Sequence, residues 1–165
     1  MEADKNLSFL NSKMEELGHA LFYNFSTAVL KFPVSVIQMA KMDEVGNIWF
    51  TVKKPAQSIE NFDKDFPAQL HFYKKGMSFH IKVHGKAVIV DDPEELNNLE
   101  DDVRMKIARG NVLIKIKILK AEYFDNDETQ KAGILTNIKN FMNKWLFREE
   151  PGYHPYFIGS ADTAF

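Results

Sequence analysis

A chain of 165 residues with 45% hydrophobic and 13% aromatic side chains, including 14 Phe, is long enough to bury its own core and too apolar for disorder, so one domain is expected. Its formal net charge of -2, with Lys and Asp/Glu interspersed, offers no field of one sign to nucleic acid or an anionic membrane, and the lack of cysteine excludes a disulfide framework, a thiol nucleophile and a thiolate metal site. No basic segment followed by an apolar one opens the sequence and no run reaches the roughly 18 apolar residues of a membrane span, so the cytoplasm is the expected compartment.

Leu7, Leu10, Met14 and Leu17 form one stripe over residues 7–17, the spacing of a short amphipathic helix that caps a core. Residues 20–27 and 33–42 are apolar runs rich in Val, Phe and Ile, read as strands joined by a turn around 30–32, with Pro33 confined to a strand start or an edge. The acidic, glycine and asparagine residues of 42–47 mark a hairpin turn. A two-faced strand follows, in which Ile48, Phe50 and Val52 alternate with Trp49, Thr51 and Lys53. Residues 54–65 are polar and proline-interrupted, a loop entering a short helix on which Ile59, Phe62 and Phe66 are spaced.

The segment 68–85, AQLHFYKKGMSFHIKVHG, reads as a β-hairpin with Lys75-Gly76 as a two-residue loop. That loop sets Phe72 opposite Phe79, His71 opposite His80 and Leu70 opposite Ile81. One face is then Ala68, Leu70, Phe72, Phe79, Ile81 and Val83; the other is Gln69, His71, Tyr73, Ser78, His80, Lys82 and His84. Gly85, inside a strand that continues to Val90, suggests a bulge or a close backbone approach. Asp92-Pro93-Glu94-Glu95 is a helix start, with Leu96, Leu99, Val103 and Ile107 as the stripe of one helix that ends at Arg109-Gly110. A final strand alternates Val112, Ile114, Ile116 and Ile118 with Leu113, Lys115, Lys117 and Leu119, running toward Tyr123 and Phe124. After it, Ile134, Leu135, Ile138, Phe141, Met142, Trp145 and Leu146 form a complete helical stripe, and an aromatic tail closes the sequence. About six antiparallel strands, helices at the periphery and no βαβ pattern indicate an all-β core, a barrel with flanking helices.

Conventional catalytic signatures are missing: there is no GxSxG, phosphate-binding P-loop, HExxH or glycine-rich fingerprint. His71, His80 and His84 share a face and in principle offer metal nitrogens, but carboxylates are sparse beside them. They read better as half-exposed barrel histidines, and no metal site is assigned. Thr51 and Lys53 share one strand face with Lys54 and Ser58 close behind, two ammonium groups and two hydroxyls able to clamp a phosphate. The alternative is an ordinary solvated strand end.

Four stretches, GNIWFTVKK at 46–54, PAQLHFY at 67–73, HIKVHGKAVIVDDPEEL at 80–96 and ILKAEYFD at 118–125, resemble in order and spacing the pyridoxamine 5'-phosphate oxidase-like split barrels, closest to the general stress protein 26 branch. The likeness runs over roughly residues 7–125. It implies a six-stranded antiparallel split β-barrel of the FMN-binding type over 1–125, with 126–165 as an added C-terminal helix and tail packed on the same domain. It also implies a homodimer with FMN in two equivalent clefts at the interface. Carried over, Phe50 and Thr51, with Trp49 beside them, match the aromatic-Thr pair against the flavin and its phosphate chain. Lys53, Lys54 and Ser58 fall where the family has Ser, Arg and Lys on the phosphate, and His80 sits where a polar residue contacts the flavin across the dimer. Lys41 stands about where the family often has Lys. Val36, beside Ser35, stands where it often has Arg, so the basic set for the phosphate departs from the family pattern. The substrate-binding Arg and His of the vitamin-B6 oxidases have no counterpart, and pyridoxamine phosphate oxidation is not expected.

Three functions follow from the resemblance. One is an FMN-dependent oxidoreductase whose substrate the sequence does not specify, in which the flavin does the redox chemistry and needs no catalytic side chain. Another is a non-catalytic binder of flavin, or of a haem or deazaflavin. The third is a stress-related interaction domain that has lost its cofactor and assembles through the helix over 134–146.

Overall fold

The structure, a computed structural model, describes residues 2–126; the expected helix over 134–146 and the tail lie outside them. Six antiparallel strands, β1 (His19–Asn24), β2 (Ser35–Met42), β3 (Asn47–Lys53), β4 (Asp65–Phe72), β5 (Phe79–Ile89) and β6 (Asn111–Asp125), close into a barrel in the order β1-β2-β3-β6-β5-β4. The expected six-stranded split barrel is therefore the fold. The first two strands are shorter than the apolar runs suggest, since the chain leaves the ladder at Asn24 and rejoins it only at Ser35, past Pro33, which cannot donate to a ladder.

Alternation along each strand sends one set of side chains inward. Phe22, Ile37, Ile48, Phe50, Val52, Leu70, Phe72, Ile81, Val83, Ile114 and Ile116 fill the interior. The helix α1 (Glu2–Leu17) closes the core with Leu10, Met14 and Leu17, as its stripe predicts, and lays Phe9 on Tyr123 and Lys13 over Phe79.

The hairpin β4–β5 has the predicted faces and a different register. The tight turn forms at Lys75-Gly76, where the Met77 amide donates to the Lys74 carbonyl at 3.1 Å and Gly76 takes φ +90°. The ladder, however, sets Phe72 opposite Ile81, His71 opposite Lys82 and Leu70 opposite Val83. The offset is two residues, taken up by Met77 and Ser78, which leave the ladder before Phe79. A shift of two keeps every side chain on its face and changes only its neighbour. Phe66, expected on the helical turn with Ile59 and Phe62, lies in β4, and only Ile59–Asn61 forms a 3-10 turn.

The expected helix from Asp92 to Arg109 is two helices, α2 (Pro93–Asn97) and α3 (Asp101–Ala108). Asp92 caps α2 by accepting from the Glu94 amide at 2.9 Å. The chain then breaks at Asn98, and Glu100 in extended conformation restarts it. The predicted stripe survives the break, because Leu96, Leu99, Val103 and Ile107 all pack into a second cluster with Trp49, Val90 and Leu113 on the outside of the barrel. Trp49, which alternation alone would give to solvent, is 8% exposed there.

Candidate functional site

The candidate residues lie on two separate parts of the barrel's outer surface. On β3, residues 49, 51 and 53 point outward. Trp49 is held by its indole N–H, which donates to Asp43 at 3.2 Å, and by Lys41 and Lys115 on either side, 5.2 and 4.8 Å from the ring centroid. Lys41 is directly opposite Trp49 in the ladder, and Lys115 is tied to Glu95 at 2.9 Å. Burial alone would raise the Asp43 carboxyl, but hydrogen bonds from Asn47, Trp49 and Val45 outweigh it and hold the carboxyl below its usual value. Trp49 and Lys41 thus form a structural clasp under α2 and α3.

Thr51 is half-buried opposite Leu113, and Lys53 is exposed opposite Asn111. The Lys54 amide donates to the Gly110 carbonyl at 3.0 Å, which pins the loop after β3 to the turn before β6. Ser58 is exposed at the head of the 3-10 turn, where its hydroxyl makes no capping bond. On β2, Ser35 pairs with Phe22 and the 68% exposed Val36 with Leu21.

Phe50 corrects the expectation of an aromatic-Thr pair on one ligand. Neighbours on a strand point to opposite faces, so with Thr51 outward the Phe50 ring lies wholly inside the barrel, 5.2 Å from the Phe22 ring. Only its backbone is available to the outer surface.

The second part is the outer face of β4, β5 and the far end of β6. His80 is opposite Phe124, with rings 4.7 Å apart, and meets His71 edge-on at 5.1 Å. The expected pairing of His71 with His80 is therefore a diagonal contact, with Lys82 directly opposite His71. The His71 Nε2 atom is buried without a hydrogen-bond partner among the described residues, and His84 lies 3.6 Å from Glu122.

All three imidazoles are pushed below their ordinary value of 6.5, His71 by burial and then by His80 and Lys82, His80 by burial and Lys82, and His84 by burial that Glu122 only partly offsets. Below about pH 6.5 the unfolded chain takes up protons that the fold refuses, so the stability contributed by neutral imidazoles is full above that value and is lost as the pH falls through it. The urea midpoint should drop between about pH 7.5 and about pH 5, and His84→Asn should flatten part of that slope; an unchanged slope contradicts the assignment.

The two parts do not meet within one chain. Thr51 pairs with Leu113 and His80 with Phe124, at opposite ends of β6, separated by roughly 35 Å of extended strand. The sequence missed Asn111 and the turn around Gly110 as neighbours of Lys53 and Lys54, because the β3–β6 pairing is long-range. A cleft of about 480 Å³ lined by Leu7, Ser8, Asn11, Met42, Asp43 and Glu44 lies at the other end of β3, and its carboxylates are unsuited to an anionic ligand. Among the described residues, no helix is long and apolar enough to cross a membrane.

Known structures share this fold. A Clostridium acetobutylicum protein related to general stress protein 26 superposes with a TM-score of 0.57 at 13% identity, covering 74% of this chain and 89% of that one. The general stress FMN/FAD binding protein of Xanthomonas citri gives 0.55 at 17% identity, over 78% and 94%. A general stress family protein of Xanthomonas campestris gives 0.56 at 17% identity, over 78% and 92%. No curated protein matches the sequence. The family match spans residues 32–144, starting later than the resemblance at residue 7 and running past residue 125. By that match, over more than half of its length, the chain belongs to the pyridoxamine 5'-phosphate oxidase-like family.

Proposed function

We propose that the protein binds FMN at the end of β3, as a homodimer with two interface clefts, and serves as a flavin-dependent oxidoreductase. The observation that carries this reading is the outer edge of β3, where Thr51, Lys53 and Lys54 gather with neither lysine side chain bonded or ion-paired among the described residues. A terminal phosphate suits that donor set, as hydroxyl and ammonium groups recognise a dianion. Ser58 follows on the same loop, while Ser35, Val36 and Lys41 flank on β2. The likeness to a flavin-binding stress protein of Xanthomonas citri agrees with this chemistry.

The dimer rests on the separation of His80 from Thr51. A single ligand touching both needs His80 from a second copy. Exposed Val34, Val36 and Tyr73, at 59%, 68% and 58%, supply apolar surface for such an interface. When bound, the flavin supplies hydride and electron transfer; the chain's part is to hold the phosphate, exclude water and place His80 near the ring.

FMN should bind more tightly than riboflavin by about 1.5 to 3 kcal/mol, and Lys54→Ala should erase much of that difference. Fluorescence titration with both flavins measures it, and equal affinities for wild type and variant overturn the phosphate assignment. Turnover of a pyridine nucleotide separates catalysis from simple binding. Val36, in place of a basic residue, favours a second reading, a cofactor-free interaction domain, which gains if neither flavin binds.

A further inference from the structure

The turn between α3 and β6 carries a cation that neither the fold nor the lysine pair explains. Arg109 ends α3, and three of the last four carbonyls of that helix already accept without it: the Arg109 amide donates to Met105 and Lys106, the Gly110 amide to Ile107, and the Asn111 side-chain amide to Lys106 at 2.8 Å. Capping therefore does not need the guanidinium. The acids of α3 are engaged at its other end, Asp101 with Arg104 and Asp102 with Lys106. Arg109 is exposed and makes no side-chain hydrogen bond or ion pair among the described residues, and the same holds for Lys53 and Lys54. The three are brought to one edge by backbone, since Lys53 pairs with Asn111 and the Lys54 amide donates to the Gly110 carbonyl. Three like charges on backbone that meets at one edge, none of them paired with a carboxylate among the described residues, repel one another, an arrangement that an anion relieves.

We propose that Arg109 contacts the phosphate of the ligand, completing with Lys53 and Lys54 an anion pocket where the end of β3 meets the turn before β6. The proposal rests on the flavin reading above and deepens it. A guanidinium offers a planar fork that grips two phosphate oxygens at once, which an ammonium cannot do. Arg109 thereby supplies from the α3–β6 turn the basic group that β2 lacks at Val36.

Titration of the full chain with FMN and with riboflavin tests it, using wild type, Arg109→Ala, Arg109→Lys and, as a control, Arg104→Ala. Arg109→Ala should weaken FMN about ten- to a hundredfold and leave riboflavin unchanged, with Arg109→Lys between the two and Arg104→Ala like wild type. If wild type prefers FMN and Arg109→Ala matches it, the proposal is wrong and the flavin reading stands. Equal weakening of both flavins also overturns it, because it marks a structural role. If wild type binds neither flavin, the flavin reading fails, and inorganic pyrophosphate decides the pocket alone: shifts of the Gly110 and Asn111 amides that vanish in Arg109→Ala keep it, and no shifts remove it.

Discussion

Gly85→Val is expected to leave no stably folded barrel. A Cβ at Gly85 lies 2.1 Å from the Lys117 carbonyl oxygen and 2.9 Å from an Ile116 side-chain carbon. The first of these is backbone, so relief requires β5 and β6 to separate. That close approach belongs to the bulge between His84 and Gly85, where β5 pairs with Lys120 and then directly with Ile118. The cost should exceed about 4 kcal/mol, which approaches the whole stability of a domain at the low end of the usual range of about 5 to 15 kcal/mol. Gly76→Ala, by contrast, meets nothing within 4 Å and strains only a φ of +90°, for about 1 to 2 kcal/mol. Urea unfolding of the pair measures both, and a Gly85→Val protein within about 1 kcal/mol of wild type contradicts the close approach.

Phe22→Ala should cost about 3 to 5 kcal/mol, while Val29→Ala, in the loop between β1 and β2, should cost less than about 0.5 kcal/mol. The Phe22 ring is fully buried and contacts the rings of Phe50, Phe66 and Phe32 at 5.2, 6.2 and 6.4 Å, so removing it leaves a cavity that rigid neighbours cannot refill. Val29 is 97% exposed and loses little. Equal costs in urea unfolding mean that β1 presents the opposite face to the core.

The hairpin of β4 and β5 shows how far periodicity reaches. Alternation fixed which of its side chains are core, because a strand has only two faces, and the Lys75-Gly76 turn was readable from glycine. The partner of each residue was not, since nothing local says that Met77 and Ser78 leave the ladder. Residues 92–109 show the same limit. Their apolar stripe predicted the buried side, but the break at Asn98 left the stripe intact and so was invisible to it. The cover that buries Trp49, α2 and α3, comes from a much later stretch of the chain, which the alternation of β3 does not encode.

The site was legible in chemistry and not in geometry. Thr51, Lys53 and Lys54 were readable as hydroxyl and ammonium groups at a strand end, and the β3 alternation put Thr51 and Lys53 on one face. Phe50 was assigned to the ligand by likeness alone, although the same alternation turns it inward. Arg109 was readable only as a helix end. Its place beside Lys53 and Lys54 follows from β3–β6 pairing, which no local pattern encodes.

Sedimentation velocity of the purified chain with FMN, followed in the visible band of the flavin, tests the central claim most directly. The flavin absorbance should travel with a species of twice the chain mass at one FMN per chain, as clefts shared between two copies require. Protein sedimenting as a single chain, with the flavin left behind as free FMN, contradicts it.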